Sequence, residues 1–168
     1  MSSGQIMTEY HLAQANIARM LAPVDSETMS GFVALLDEIN TLGENAPGFV
    51  WWLKDESGDA TSIKVYDDDM IIINMSVWQT AAALYQFTYY SDHAAAYRRR
   101  REWFEKLSRP VFGLWWIPAG HTPTPAEAKA RLEHLERHGA SPYVFTFKER
   151  YTPADMLAYT GAITDQHR

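Results

Sequence analysis

The sequence has no cysteine among its 168 residues, little positive charge and no long apolar run. The first absence excludes a disulfide framework, a thiolate nucleophile and any sulfur-ligated metal. With 15 Lys+Arg against 21 Asp+Glu the net charge is −6, which argues against a general nucleic-acid binder, because phosphate neutralisation needs a basic surface. Only Arg98-Arg99-Arg100-Arg101 is locally basic. No stretch reaches the ~18 apolar residues of a membrane span, and Met1-Ser2-Ser3-Gly4-Gln5 lacks the basic start and apolar core of a signal peptide. A soluble cytoplasmic protein with neither nucleic-acid nor membrane partners is therefore expected. The glycines form no GxGxxG or P-loop, and no GxSxG elbow exists, so nucleotide binding and serine hydrolysis have no sign in the sequence.

What is present is apolar and aromatic. Hydrophobic residues make up 46% and aromatics 13% of the chain, enough for one domain with a continuous core. Tyr10 to Ile17 reads as a strand. Asp25 or Ser26 can cap a helix whose Met29, Phe32, Leu36 and Ile39 follow helical spacing up to a stop at Gly43. Gly48 to Leu53 reads as a buried strand, Lys54 to Asp59 as a turn, Ser62 to Val65 as a further strand, and Ile-rich Met70 to Val77 as the clearest strand. A long helix is predicted from Gln79 to Leu107, ended by Ser108-Arg109-Pro110. Val111 to Ile117 is another aromatic strand. Thr124-Pro125-Ala126-Glu127 opens a third helix with a capping box, closed by Gly139. Tyr143 to Phe147 reads as an edge strand, and a partly helical terminal segment begins at Tyr151.

This order predicts an α+β fold: a ferredoxin-like antiparallel sheet with two helices on one face, plus a C-terminal helix. Residues 8–148 form the domain and 149–168 an extension. Trp51, Trp52, Trp115 and Trp116 put indoles on both faces of their strands, so the face without helices needs a cover. A sheet-to-sheet homodimer would provide one. The alternative is coverage by the segment after Gly139.

On the predicted long helix, Ala83, Phe87, Tyr90, Ala94, Tyr97, Arg101 and Phe104 stack along one side, with Gln86, His93 and Arg100 on its shoulder. This is the candidate pocket wall. His93 is the acid/base candidate, Tyr90 and Tyr97 are hydrogen-bonding walls, and Arg100 or Arg101 would hold an acidic group. Against it stands the plainer reading of a boundary histidine, core tyrosines and arginines that snorkel to water. On the opposing strand, alternation puts Ile71, Ile73, Met75 and Val77 on one face and Ile72, Asn74, Ser76 and Trp78 on the other. Asn74 and Ser76 need partners there, and His11, Gln14 and Asn16 raise the same question on the first strand. Trp52, Trp78, Trp115 and Trp116 are candidate apolar walls. The histidines His11, His93, His121, His134, His138 and His167 are too scattered for a metal motif, and Asp67-Asp68-Asp69 reads as a charged turn. Neither metal nor other cofactor is expected.

The blocks Tyr10-His11-Leu12-Ala13-Gln14, Gly48-Phe49-Val50-Trp51, Asp59-Ala60-Thr61-Ser62-Ile63 through Asp67-Asp68, Asn74-Met75-Ser76-Val77-Trp78, His93, Arg98-Arg99-Arg100-Arg101-Glu102-Trp103-Phe104 and Leu114-Trp115-Trp116-Ile117-Pro118-Ala119-Gly120-His121 resemble the bacterial family known as domain of unknown function 3291. That family is grouped with the dimeric α/β barrel superfamily, which includes antibiotic-biosynthesis monooxygenases, isomerases, cyclases and haem proteins. The resemblance implies a dimeric α/β barrel with a pocket between sheet and helices in each subunit. It does not transmit a reaction, since one fold hosts many chemistries. Three functions follow as expectations. The first is a cofactor-independent monooxygenase, isomerase or cyclase acting on an aromatic or polyketide-like small molecule, with His93 taking a proton and Asn74 or Arg101 stabilising an oxyanion. The second is a non-catalytic ligand-binding or structural dimer. The third is a haem protein with His93 or His121 as axial ligand.

Overall fold

A computed structural model describes residues 8–55 and 61–159. The start Met1 to Gln5, most of the turn expected up to Asp59, His167 and the end of the terminal segment lie outside the described residues. The elements are β1 (Tyr10–Met20), a 3-10 turn (Glu27–Met29), α1 (Ser30–Glu44), β2 (Phe49–Trp52), β3 (Ile71–Trp78), α2 (Ala81–Tyr90), α3 (His93–Arg98), a second 3-10 turn (Arg100–Glu102), β4 (Phe104–Glu105), β5 (Phe112–Pro118), α4 (Pro125–His138) and α5 (Pro153–Ala158). Among the described residues no helix is long and apolar enough to cross a membrane.

The fold is α+β, built on an antiparallel curled sheet. β1 is central. It pairs with β3 along one edge, from Leu12 opposite Trp78 to Arg19 opposite Ile71, and with β5 along the other, from Tyr10 opposite Pro118 to Asn16 opposite Phe112. β2 lies outside β3, with a register shift between Phe49 and Trp51. Because β5 stops at Asn16, the last residues of β1 keep a free edge, and β4 fills it by pairing with Arg19 and Met20.

Directly opposed residues share a face, so the register sorts the core into layers. One face carries Ala13, Ala15, Ile17, Ile71, Ile73, Met75, Val77, Trp115 and Ile117, all buried. It is covered by Ala128 and Leu132 of α4, by Leu53, and by the partly buried Ile63, Val65 and Tyr66. The other face carries Leu12, Gln14, Asn16, Trp78, Leu114 and Trp116 and meets α1, α2 and Phe145. The expectation of an apolar face without a cover of its own is therefore corrected. α4 and the 61–66 segment cover that face within one chain.

Several local expectations change for physical reasons. The helix predicted from Gln79 to Leu107 is broken. Ser91 adopts an extended conformation; its hydroxyl donates to the Phe87 carbonyl and accepts from the His93 backbone N–H at 3.2 Å. One serine thus stops α2 and starts α3, as expected of side chains that compete with the helical ladder. The end of the predicted helix becomes β4 because β1 offers it an unpaired edge and Phe104 packs edge-on against Phe32 at 4.9 Å. Ser62 to Val65 forms no strand, although Ile63 and Val65 still pack on the core. Gly43 lies inside α1 rather than past its end, against the Phe87 ring. The Tyr143–Phe147 edge strand reduces to bridges, chiefly Leu114 with Phe145, which exchange backbone hydrogen bonds at 2.8 and 2.9 Å. α4 starts where predicted, with Thr124 accepting from the Glu127 N–H, but the return half of its capping box is replaced: the Glu127 carboxylate accepts instead from Trp115 Nε1 at 3.3 Å and lies 2.9 Å from His121 Nε2. A complete capping box appears at Thr152 and Asp155 of α5.

Candidate functional site

The helix side of the sheet has a polar centre. Gln14 is buried on β1, and its Nε2 donates to Asn74 Oδ1 at 2.8 Å and to Ser76 Oγ at 2.9 Å. Trp78 Nε1 donates to the same Ser76 oxygen at 2.8 Å. Beside this network Asn16 faces Asn74 across the two central strands, and both side chains are exposed. Exposure in mid-strand at the middle of a sheet means that the helix layer does not close over this point. A fully apolar core would bury such a position, since each large side chain withdrawn from water contributes roughly 1.5–3 kcal/mol.

Aromatic groups stand on either side. Trp78 packs edge-on with Phe49 at 5.5 Å and stacks with Phe87 at 5.0 Å, and the Phe87 ring meets His93 at 5.1 Å. Phe112, the partner of Asn16 on β5, stacks on Phe147 at 5.5 Å. Toward the other end lie Phe32, Trp103 and Phe104 with Met20, Met29 and Ile72. A small cavity of about 50 Å³ between α1 and the sheet is lined by Phe32, Asn40, Trp52, Thr61, Ile72 and Asn74 among others. A larger groove of about 440 Å³ runs between α1 and α3, bordered by Leu35, Ile39, Leu42, Ala95, Ala96 and Arg99 among others. None of the sequence-predicted site residues lines that groove.

His93 is half-buried at the start of α3. Burial lowers its pKa, and the Thr88 carbonyl 3.3 Å from Nδ1 opposes that shift. The ring is thus held toward the neutral form. With Nδ1–H donating to the carbonyl, Nε2 keeps its lone pair.

The other candidates are dispersed. Tyr97 is 43% exposed, Tyr90 68%, and Gln86 and Arg101 are exposed as well. The break at Ser91 turns α3 away from the line of α2, so the stripe predicted through Tyr97 and Arg101 does not exist. Arg100 lies over the Tyr97 ring at 4.2 Å and donates to the Tyr97 carbonyl at 3.1 Å, an association remote from the polar centre in sequence and element. Trp52 is half-buried, with Nε1 donating to Glu44 Oε1 at 2.7 Å. Trp116 donates to the Tyr151 carbonyl at 2.7 Å. Trp115 and His11 stand on the α4 face, away from Asn74. His121, the other axial-ligand candidate, has its Nε2 against Glu127. Of the predicted set, Asn74, Trp52 and Trp78 meet at the polar centre, and His93 is joined to it through Phe87.

Gln14, Asn16 and Ser76 complete the site. Their signal in the sequence was a run of polar side chains at every second position of two strongly apolar strands. That pattern marked them as needing partners without showing that they partner each other.

The family model described as "Domain of unknown function (DUF3291)" matches residues 11–160. Among the curated proteins nothing matches. Among solved structures, the chain is similar to NE2512, a protein of unknown function from Nitrosomonas europaea, at 9% identity and TM-score 0.45 over 71% of this chain and 98% of that one. It is also similar to PA3566 from Pseudomonas aeruginosa at 15% identity and TM-score 0.34 over 71% of this chain and 100% of that one.

Proposed function

We propose, for a chain that belongs to the domain of unknown function 3291 family, that its helix-side cleft binds a small, uncharged, planar molecule carrying carbonyl or hydroxyl groups. The observation that carries this reading is the Asn16–Asn74 pair, open to solvent in the middle of a sheet whose opposite face is sealed. Polar groups linked to one another on an apolar floor, with aromatic rings at the sides, are the usual composition of a small-molecule site. Within the fold, the strand order β2-β3-β1-β5 supports a ferredoxin-like reading, with the cleft between sheet and helices. The residues of the proposed cleft all come from one chain.

Binding ranks before catalysis. A cofactor-independent oxygenation or isomerisation needs a base near the substrate, and His93 with a free Nε2 supports that reading. Of its expected companions, Tyr97 stands one turn from His93 on α3 but is 43% exposed, and Arg101 lies beyond that helix in the second 3-10 turn. A substrate oxyanion would thus rest on neutral amide and hydroxyl donors alone.

The test is a thermal-shift and tryptophan-fluorescence screen of planar quinones, phenols and aryl ketones against the full chain and its Asn16→Leu and Asn74→Leu variants. Saturable binding that both substitutions weaken is expected. Binding unaffected by either one sinks the assignment of the site. Oxygen uptake with a quinol panel, abolished by His93→Gln, would raise the protein from binder to oxygenase.

A further inference from the structure

We propose that Ser76 is the group that meets the ligand's carbonyl oxygen, and that Gln14 and Trp78 position it to do so; this rests on the binding reading above. A serine hydroxyl has two acceptor lone pairs and one proton. Both acceptor sites of Ser76 are taken, by Gln14 Nε2 at 2.9 Å and Trp78 Nε1 at 2.8 Å. Its proton therefore needs an acceptor, and none is engaged among the described residues.

The two donors also set the direction in which the proton is free. Gln14 approaches from β1, on one side of β3, and Trp78 lies two residues along β3 itself. What remains is the side of Trp52, which faces Ser76 from β2, and of Asn74, two residues back on the same strand. Trp52 and Asn74 both line the cavity of about 50 Å³. That space suits the polar end of a molecule rather than a whole ligand, whose body would rest over Asn16 and Asn74.

The network is built to hold this arrangement. Gln14 spends both Nε2 protons, one on Ser76 and one on Asn74 Oδ1 at 2.8 Å, so its amide cannot turn without losing two bonds. Hydrogen bonds accepted by an oxygen polarise it and strengthen the bond its own proton donates. No charged side chain takes part. A carboxylate or phosphate would lose its hydration here without gaining a cation, so the chemistry selected is a neutral carbonyl such as a quinone, ketone or amide.

The experiment compares 1,4-naphthoquinone with naphthalene, two probes of the same ring system that differ in carbonyl oxygens, by titration of intrinsic tryptophan fluorescence in the full-length chain. The absence of cysteine removes thiol addition to the quinone as a complication. Wild-type protein is expected to prefer the quinone. Ser76→Ala should lower quinone affinity about tenfold, the effect of losing one buried hydrogen bond, and leave naphthalene unchanged; Ser76→Thr should restore the preference. Equal loss for both probes in Ser76→Ala, or no loss for the quinone, overturns the assignment. Should Ser76→Ala fail to fold, Gln14→Met, which removes one positioning donor, must reduce the quinone preference or the proposal falls. If wild-type protein binds neither probe, the binding reading fails first, whereas equal binding of both sinks only the role of Ser76.

Discussion

On the α4 side of the sheet Ala13, Ala15, Met75, Trp115 and Ala128 have no exposure at all, while on the helix side Asn16 and Asn74, on the same central strands, are open to water. The helices differ in the same way. α4 buries Ala128, Leu132 and Leu135, whereas α1 buries only Gly43, α2 only Leu84, and α3 nothing. Phe32, Leu36 and Ile39 form a proper helical stripe on α1, yet each remains partly exposed. The α4 layer is packed along its length, whereas on the helix side the dense packing of Leu12, Trp78, Leu114 and Phe145 gives way to an open polar floor at Asn16 and Asn74. Such a division is expected where a site must admit a ligand, because low local packing and low local stability go with access.

Truncations on the two sides give the strongest test of this division. Leu132→Ala, in the sealed layer, should cost about 2–5 kcal/mol, while Leu36→Ala on α1 should cost less than about 1 kcal/mol because its side chain is already partly hydrated. Chemical denaturation of the two variants measures both; equal losses would break the comparison. A smaller effect is expected at Gly48, which lies against Ala83 of α2. Its φ is +82°, and a β-carbon there would stand 2.6 Å from that of Ala83. Gly48→Ala should destabilise the fold by about 1–3 kcal/mol, and an unchanged midpoint of unfolding would show that α2 moves freely on this face.

His93 sharpens the contrast through pH. Burial depresses its pKa in the folded chain, so the unfolded chain binds more protons as the pH falls. The stability that His93 contributes as a neutral ring is complete above about pH 6.5, the unfolded value, and is lost on acidification through the lower folded value. Wild-type protein should lose stability below that point while His93→Gln loses less, as read from thermal unfolding between pH 7 and 5. Parallel curves would mean that the ring is hydrated and that the helix layer is looser still. Smallest of all, Asn16→Ala should change stability by less than about 0.5 kcal/mol, because the side chain makes no hydrogen bond among the described residues, while still weakening ligand binding.

Much of this arrangement was legible in the sequence. β1, β2, β3 and β5 follow from alternation and β-branched or aromatic content, and α4 from Thr124, Pro125 and Gly139, because these signals depend on residues within one element. Asn74 stood out as polar in an apolar strand for the same reason. The long helix did not survive, because the periodicity from Ala83 to Phe104 says nothing about the Ser91 hydroxyl, which can bond to the helix on either side of it. The stripe that was to join Tyr90, Tyr97 and Arg101 is interrupted with it.

By itself, the sequence determined which residues are apolar, the alternation of β1 and β3, and the lack of any thiol. Tertiary structure alone decided that Gln14, Ser76 and Trp78, up to 64 positions apart in number, form one hydrogen-bonded network, and that α4 packs on the second face. Strand register and helix docking cost chain entropy that only long-range contacts repay. The pairing of β1 with β3, and the side on which α4 lands, are therefore properties of the folded whole.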